Sequence, residues 1–183
     1  MSSKYQIGDE RYAHSVTFTV VNWIDVFTRD EYRTIILDSL NYCIRNKGLI
    51  VHAYCIMTNH VHLIISSKQG LNMAFIVRDL KKFTSYKIID TIKNNPLESK
   101  KEWMIWMFER AGRKNASNER YQFWQNGYHP IELSNPVLVK QRLNYLHDNP
   151  VRAGFVLASE EYKYSSARNY SGGIDCMMEV EFL

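Results

Sequence analysis

Two short stretches of this 183-residue chain hold side chains whose spacing could support chemistry. The first is His60-Val61-His62. On a strand, residues i and i+2 point to the same face, so both imidazoles would emerge side by side while Val61 faces the opposite layer. Two neutral imidazoles on one face can supply two ligands to a divalent ion. A histidine pair of this kind is also found simply as two polar residues opening a strand. The context favours a site, because the strand continues as Leu63, Ile64 and Ile65 and is otherwise buried. The second stretch surrounds Tyr145. At helical spacing Val139, Leu143 and Leu146 form an apolar stripe, while Leu138, Arg142, Tyr145 and Asn149 fall on an adjacent, mixed face. A tyrosine phenolate can attack a phosphodiester and hold the phosphoryl group covalently. Arg142, one turn away, could steady a phosphate, and Asn149, one turn beyond, could give a metal an oxygen ligand. Among 12 tyrosines most are expected to pack or line surfaces. Asn149 precedes Pro150, which argues for a helix end there. His147 would lie about 200° around the helix from Tyr145. His14, His52 and His129 read as packing or turn residues.

The elements that must position these groups follow from pattern. Residues 11–22 alternate and are rich in β-branched residues, reading as a first strand. Thr28 can cap a helix over 29–46, closed by Asn46-Lys47-Gly48. Strands over 49–57 and 61–66 are joined by the turn-prone Thr58-Asn59. Met73, Ile76, Leu80 and Phe83 predict a second helix within 72–91, with Lys81, Lys82 and Lys87 away from its apolar centre. Residues 94–120 have weak pattern and read as a partly irregular insert. Residues 121–133 suggest a fourth strand or a hairpin around Asn126-Gly127. Ser134 or Asn135 followed by Pro136 starts a third helix, which Pro150 should end. The order β-α-β-β-α-(insert)-β-α is that of an α+β, ferredoxin-like sandwich, a mainly antiparallel sheet of four or more strands with helices on one face. Residues 1–150 would form one catalytic domain and 151–183 a C-terminal extension packed on it.

Composition narrows the partner. The net charge is +4 and aromatic residues make up 13% of the chain. The basicity is regional: residues 78–120 hold 11 Lys or Arg against 6 acids, interleaved with Phe83, Tyr86, Trp103, Trp106, Phe108 and Tyr121. Cations attract phosphates and rings stack on bases, so this region, with Arg110, Arg113 and Lys114 beside the three lysines above, is the expected nucleic-acid contact. Three cysteines without CxxC spacing fit neither a disulfide framework nor a zinc knuckle. The first residues lack a signal-peptide core and no apolar run is long enough to span a bilayer, so no membrane contact and a cytoplasmic location are expected. The absence of P-loop, GxGxxG and GxSxG motifs removes support for nucleotide-driven and serine-hydrolase chemistry.

MTNHVHLII resembles a signature stretch of the single-tyrosine HUH transposases, the insertion-sequence 200-like group. YLHDNPVRAGFV followed by EYKYSSARNY resembles their REP-associated tyrosine transposase branch, and LKKFTSYKI and FWQNGYHPIEL also look like family segments. The resemblance spans roughly residues 11–170. It implies a ferredoxin-like fold, His60 and His62 as ligands of Mg²⁺ or Mn²⁺, and Tyr145 as nucleophile. Asn149 falls where the family places a third polar ligand, often Gln. Thr58 replaces the usual Pro before the Asn. The implied reaction is cleavage of single-stranded DNA beside a hairpin, with a 5′-phosphotyrosine intermediate and a free 3′ hydroxyl, followed by strand transfer. Some relatives exchange the tyrosine helix between two chains, whereas REP-associated members resemble monomers, so monomer and homodimer both remain open. Two other functions stand beside this one: a metal-dependent nuclease using activated water, and a hairpin-DNA-binding protein that has lost turnover.

Overall fold

The computed structural model describes residues 7–115 and 120–183, so the start of the chain and residues 116–119 of the expected insert lie outside the described residues. In chain order the elements are β1 (His14–Thr19), α1 (Asp30–Lys47), β2 (Leu49–Ile56), β3 (His60–Ser67), α2 (Met73–Asn94), α3 (Lys101–Arg113), β4 (Ile131–Glu132), α4 (Pro136–Arg152) and α5 (Ala167–Tyr170). The sheet order is β2-β3-β1-β4 and every pairing is antiparallel, the ferredoxin-like α+β arrangement.

Register decides what shares a face. Thr17 pairs with His62 and Thr19 with His60, while Cys55 lies opposite His62 on the other side. Val61, Leu63 and Ile65 therefore point to the other face and are fully buried. That face also carries Phe18, over which the α2 residue Lys81 lies, and α1 packs against α2. These two helices share a face as expected. The fourth helix goes to the opposite face, where Tyr145 meets His62. It must, because Ile64 and Cys55 on that face are also completely buried and need a cover.

Two local expectations are corrected and one pair of alternatives is decided. Residues 101–113 of the insert form a regular helix whose Met104 and Phe108 are buried at i, i+4 spacing. Exposed Trp103 and Trp106 put large rings on its outer face and blur the stripe. Residues 121–133 supply the fourth strand, β4, rather than a hairpin. They follow β1 in two stretches, the Gln125 and Leu133 amides donating to the Thr19 and Ala13 carbonyls, and bulge at Asn126-Gly127. The Lys81 ammonium holds the bulge by donating to the Gln125 and Gly127 carbonyls at 3.0 and 2.8 Å. Finally, α4 runs through Pro150 to Arg152. Proline lacks only its own N–H, and one further turn with buried Pro150 is retained before Gly154, at φ 74°, reverses the chain.

The N-terminus of α4 is as read: Asn135 accepts from the Leu138 amide at 2.9 Å and Pro136 opens the helix. Beyond α4 the chain returns along the free edge of β2. The Ile56 amide donates to the Tyr164 carbonyl, and the Ser166 amide to the Tyr54 carbonyl. Ser166 Oγ also accepts from the Tyr54 amide at 2.9 Å and lies 2.9 Å from His147 Nε2. His147, on the side of α4 away from Tyr145, thus ties the helix to this edge. Burial pulls its pKa from 6.5 down to about 4. The unfolded chain then binds the proton more readily, so this stabilisation is complete above about pH 6.5 and is lost as the pH falls toward 4. Between pH 7 and pH 4.5 the loss should reach about 2–3 kcal/mol. Urea unfolding at both pH values, compared with His147→Gln, checks this: the variant should show a correspondingly smaller drop.

Candidate metal and nucleophile site

The site is built on the N-terminal end of β3. His60 and His62 share one face, their ring centroids 4.6 Å apart and their planes at 80°. His62 Nδ1 lies 2.8 Å from Thr17 Oγ1 on β1, a contact that follows from the β1–β3 register. His60 Nδ1 donates to Asn59 Oδ1 at 2.7 Å, which leaves Nε2 as its lone-pair nitrogen. Burial lowers both pKa values. His62 is pulled down to about 3 by burial first and by the neighbouring His60 ring second. Both rings are therefore neutral at pH 7, the form that ligates metals.

Tyr145 projects from α4 toward this pair. Its ring centroid is 5.7 Å from that of His62, edge to face, and the residue is 43% exposed, so a macromolecular substrate can reach it. Because α4 continues through Pro150, Asn149 stays one turn beyond Tyr145. Its Nδ2 donates to the Tyr145 carbonyl at 2.7 Å, and its side chain lies near enough to His62 to favour the charged form of that ring, against the larger effect of burial. With the amine end used on the helix, the amide oxygen is the end left available as an acceptor or ligand.

Two arginines share the helix with Tyr145. Arg142, one turn before Tyr145, has its Nε buried without a hydrogen-bond partner among the described residues. Arg152, which sequence reasoning missed, lies with its guanidinium 5.6 Å from the Tyr145 ring centroid. Spacing of i, i+7 on one helix would have placed them on the same face, had the helix been allowed past the proline.

The basic residues separate. Lys82 and Lys87 line a groove between α1 and α2, on the helical face away from the histidines. Lys81 is half-buried on the bulge, and burial pushes its pKa down to about 8. Arg110, Arg113 and Lys114 are exposed at the end of α3, which packs against the turn next to His60.

Among the described residues no three His, Cys, Asp or Glu side chains converge. An ion at this site would rest on two imidazoles and the Asn149 amide oxygen. That donor set suits a hard to borderline divalent ion with remaining positions filled by water or phosphate oxygens. Thr17 fixes the His62 ring, so Thr17→Val should weaken Mn²⁺ binding roughly 10-fold or more while leaving the fold intact, as titration calorimetry would read.

The fold and the site together define an α+β protein with a histidine pair on a sheet face and a tyrosine on the helix that covers it. The family model described as "Transposase IS200 like" matches residues 10–108, which include both histidines, and the chain belongs to that family. Among solved structures, one described as a REP-associated tyrosine transposase bound to a REP hairpin matches with a TM-score of 0.67 and 16% identity, covering 100% of this chain and 95% of that one. The likeness therefore extends across α4 and the C-terminal segment. No curated protein matches the chain. Among the described residues, no helix is long and apolar enough to cross a membrane.

Proposed function

We propose that this chain is a REP-associated-type transposase that cleaves and rejoins single-stranded DNA beside a hairpin, through a 5′-phosphotyrosine at Tyr145 and with Mg²⁺ or Mn²⁺. The observation that carries the reading is the 5.7 Å approach of Tyr145 to His62 within one chain. His60, His62 and Asn149 would hold the ion. When bound, it supplies a positive charge against the scissile phosphate, which lowers the cost of charge building there.

The chain's own residues do the rest. Tyr145 Oη attacks phosphorus and the bond from phosphorus to the 3′ oxygen breaks. The phenolic proton passes to solvent, to which Tyr145 is open, and the departing oxygen gains a proton from water to become a 3′ hydroxyl. Arg152, whose guanidinium lies over the Tyr145 ring, and Arg142, one turn before it on the same helix, would offset phosphate charge. The phosphotyrosine ester keeps the bond energy, so a second 3′ hydroxyl can attack it and release Tyr145, joining strands without a nucleotide cofactor. Arg110, Arg113 and Lys114 provide cationic surface for the DNA backbone.

The test is incubation with a labelled oligonucleotide carrying a hairpin and single-stranded flank, with Mg²⁺ or Mn²⁺, followed by a denaturing gel. A covalent adduct on the 5′-phosphate fragment and a free 3′-hydroxyl fragment are expected, both absent with chelator. Cleavage without adduct would indicate attack by water. Binding without cleavage would indicate a DNA-binding protein without turnover.

A further inference from the structure

The turn after β1, Val21–Trp23, contains two consecutive non-glycine residues at positive φ: Asn22 at 56° and Trp23 at 56°. Asparagine tolerates this region, but for a bulky side chain such as tryptophan it is a genuine outlier. The strain is not spent on burying the ring, because Trp23 is 60% exposed. The indole stands beside the candidate ion site, its centroid 6.1 Å from that of His60 with the planes at 74°.

The backbone here is fastened to the turn that leads into His60. Asp25 Oδ1 accepts from Thr58 Oγ1 at 2.6 Å and from Asn59 Nδ2 at 2.8 Å. The Val20 amide donates to the Asn59 carbonyl and the Phe27 amide to the Thr58 carbonyl. Asn59 in turn holds His60 through its Oδ1. The strained, exposed indole is thus fixed relative to the histidine pair, and strain of this kind persists where surrounding structure over-determines it.

We infer that Trp23 is a stacking platform for an unpaired nucleobase next to the scissile phosphate and positions the single strand over His60 and Tyr145. The inference rests on the DNA-cleavage reading above and assigns one substrate contact within it. An unpaired base offers a flat face, and stacking on an aromatic ring tolerates any base. The path continues along α3, which packs against this turn and exposes Trp106 with the Arg110 guanidinium 5.3 Å from its ring. Trp23 is a positioning residue: it touches a base, not the reacting atoms.

The experiment uses the hairpin oligonucleotide with an abasic nucleotide moved stepwise along the flank, measuring binding by fluorescence anisotropy together with KM and kcat. Wild type should lose about tenfold or more in affinity at one abasic position. Trp23→Ala and Trp23→Gly should lose as much on the intact strand, mainly in KM, and should show no further loss at that position. The glycine variant relieves the backbone, so agreement between the two assigns the effect to the ring. Trp23→Phe should recover most of the affinity. Mn²⁺ binding without DNA should be unchanged in all three variants. An equal abasic penalty in wild type and variants, or lost Mn²⁺ binding, would overturn the inference. The anisotropy arm needs no cleavage, so absence of a covalent adduct would defeat the catalytic reading without deciding this one.

Discussion

Replacing Tyr145 by phenylalanine should abolish the protein–DNA adduct and lower cleavage by about a thousandfold or more, since the atom removed would form the covalent bond. The rest of the site should survive. The ring contact with His62 and the Arg152 guanidinium above the ring both involve carbon atoms that phenylalanine keeps. The Tyr145 hydroxyl makes no hydrogen bond within the described residues and is open to water, so the variant should unfold within about 0.5 kcal/mol of wild type. Hairpin affinity should stay within about twofold, because affinity comes mainly from phosphate and stacking contacts elsewhere. Denaturing gels read the adduct and anisotropy reads the affinity. An adduct that persists in Tyr145→Phe would move the nucleophile to another residue.

The second large effect is expected at His62. His62→Ala removes one of two imidazoles and leaves Thr17 Oγ1 without the ring it contacts. Mn²⁺ affinity, measured by calorimetry on the protein without DNA, should fall by about two orders of magnitude, and cleavage should become undetectable. His60→Ala should do the same. Asn149→Ala should cost less, because an amide oxygen would be a weaker donor to the ion than an imidazole nitrogen, and its hydrogen bond to the Tyr145 carbonyl only reinforces the helix. If His62→Ala kept full ion affinity, the ion would bind elsewhere and the assignment of the pair would fail.

Much of this site was readable from spacing. The period of two on β3 placed both histidines on one face, and helical period placed Tyr145, Arg142 and Asn149 together. What spacing cannot supply is partnership across distance. Thr17 became the orienting partner of His62 through strand register, and Trp23 reached His60 through a turn whose backbone angles no local rule assigns to tryptophan. Pro150 was read as an end because a missing N–H usually ends a helix, yet one more turn carried Arg152 over Tyr145. In the insert, exposed tryptophans disguised an amphipathic helix. Lys81 shows the same limit on the basic side: it lies in the charged region by sequence, but its ammonium is spent on backbone carbonyls of a bulge.

The edge of β2 sets an order on assembly. Ser166 meets Tyr54 across 112 residues and also contacts His147, on the helix that carries Tyr145. Closing so long a loop carries a large entropic cost, which must be met before the contact returns anything. During synthesis the histidine pair leaves the ribosome early, but the tie from His147 to the β2 edge can form only after Ser166 follows. A nascent chain therefore finishes fastening α4, with Tyr145, to the sheet that carries His60 and His62 only once Ser166 has been made.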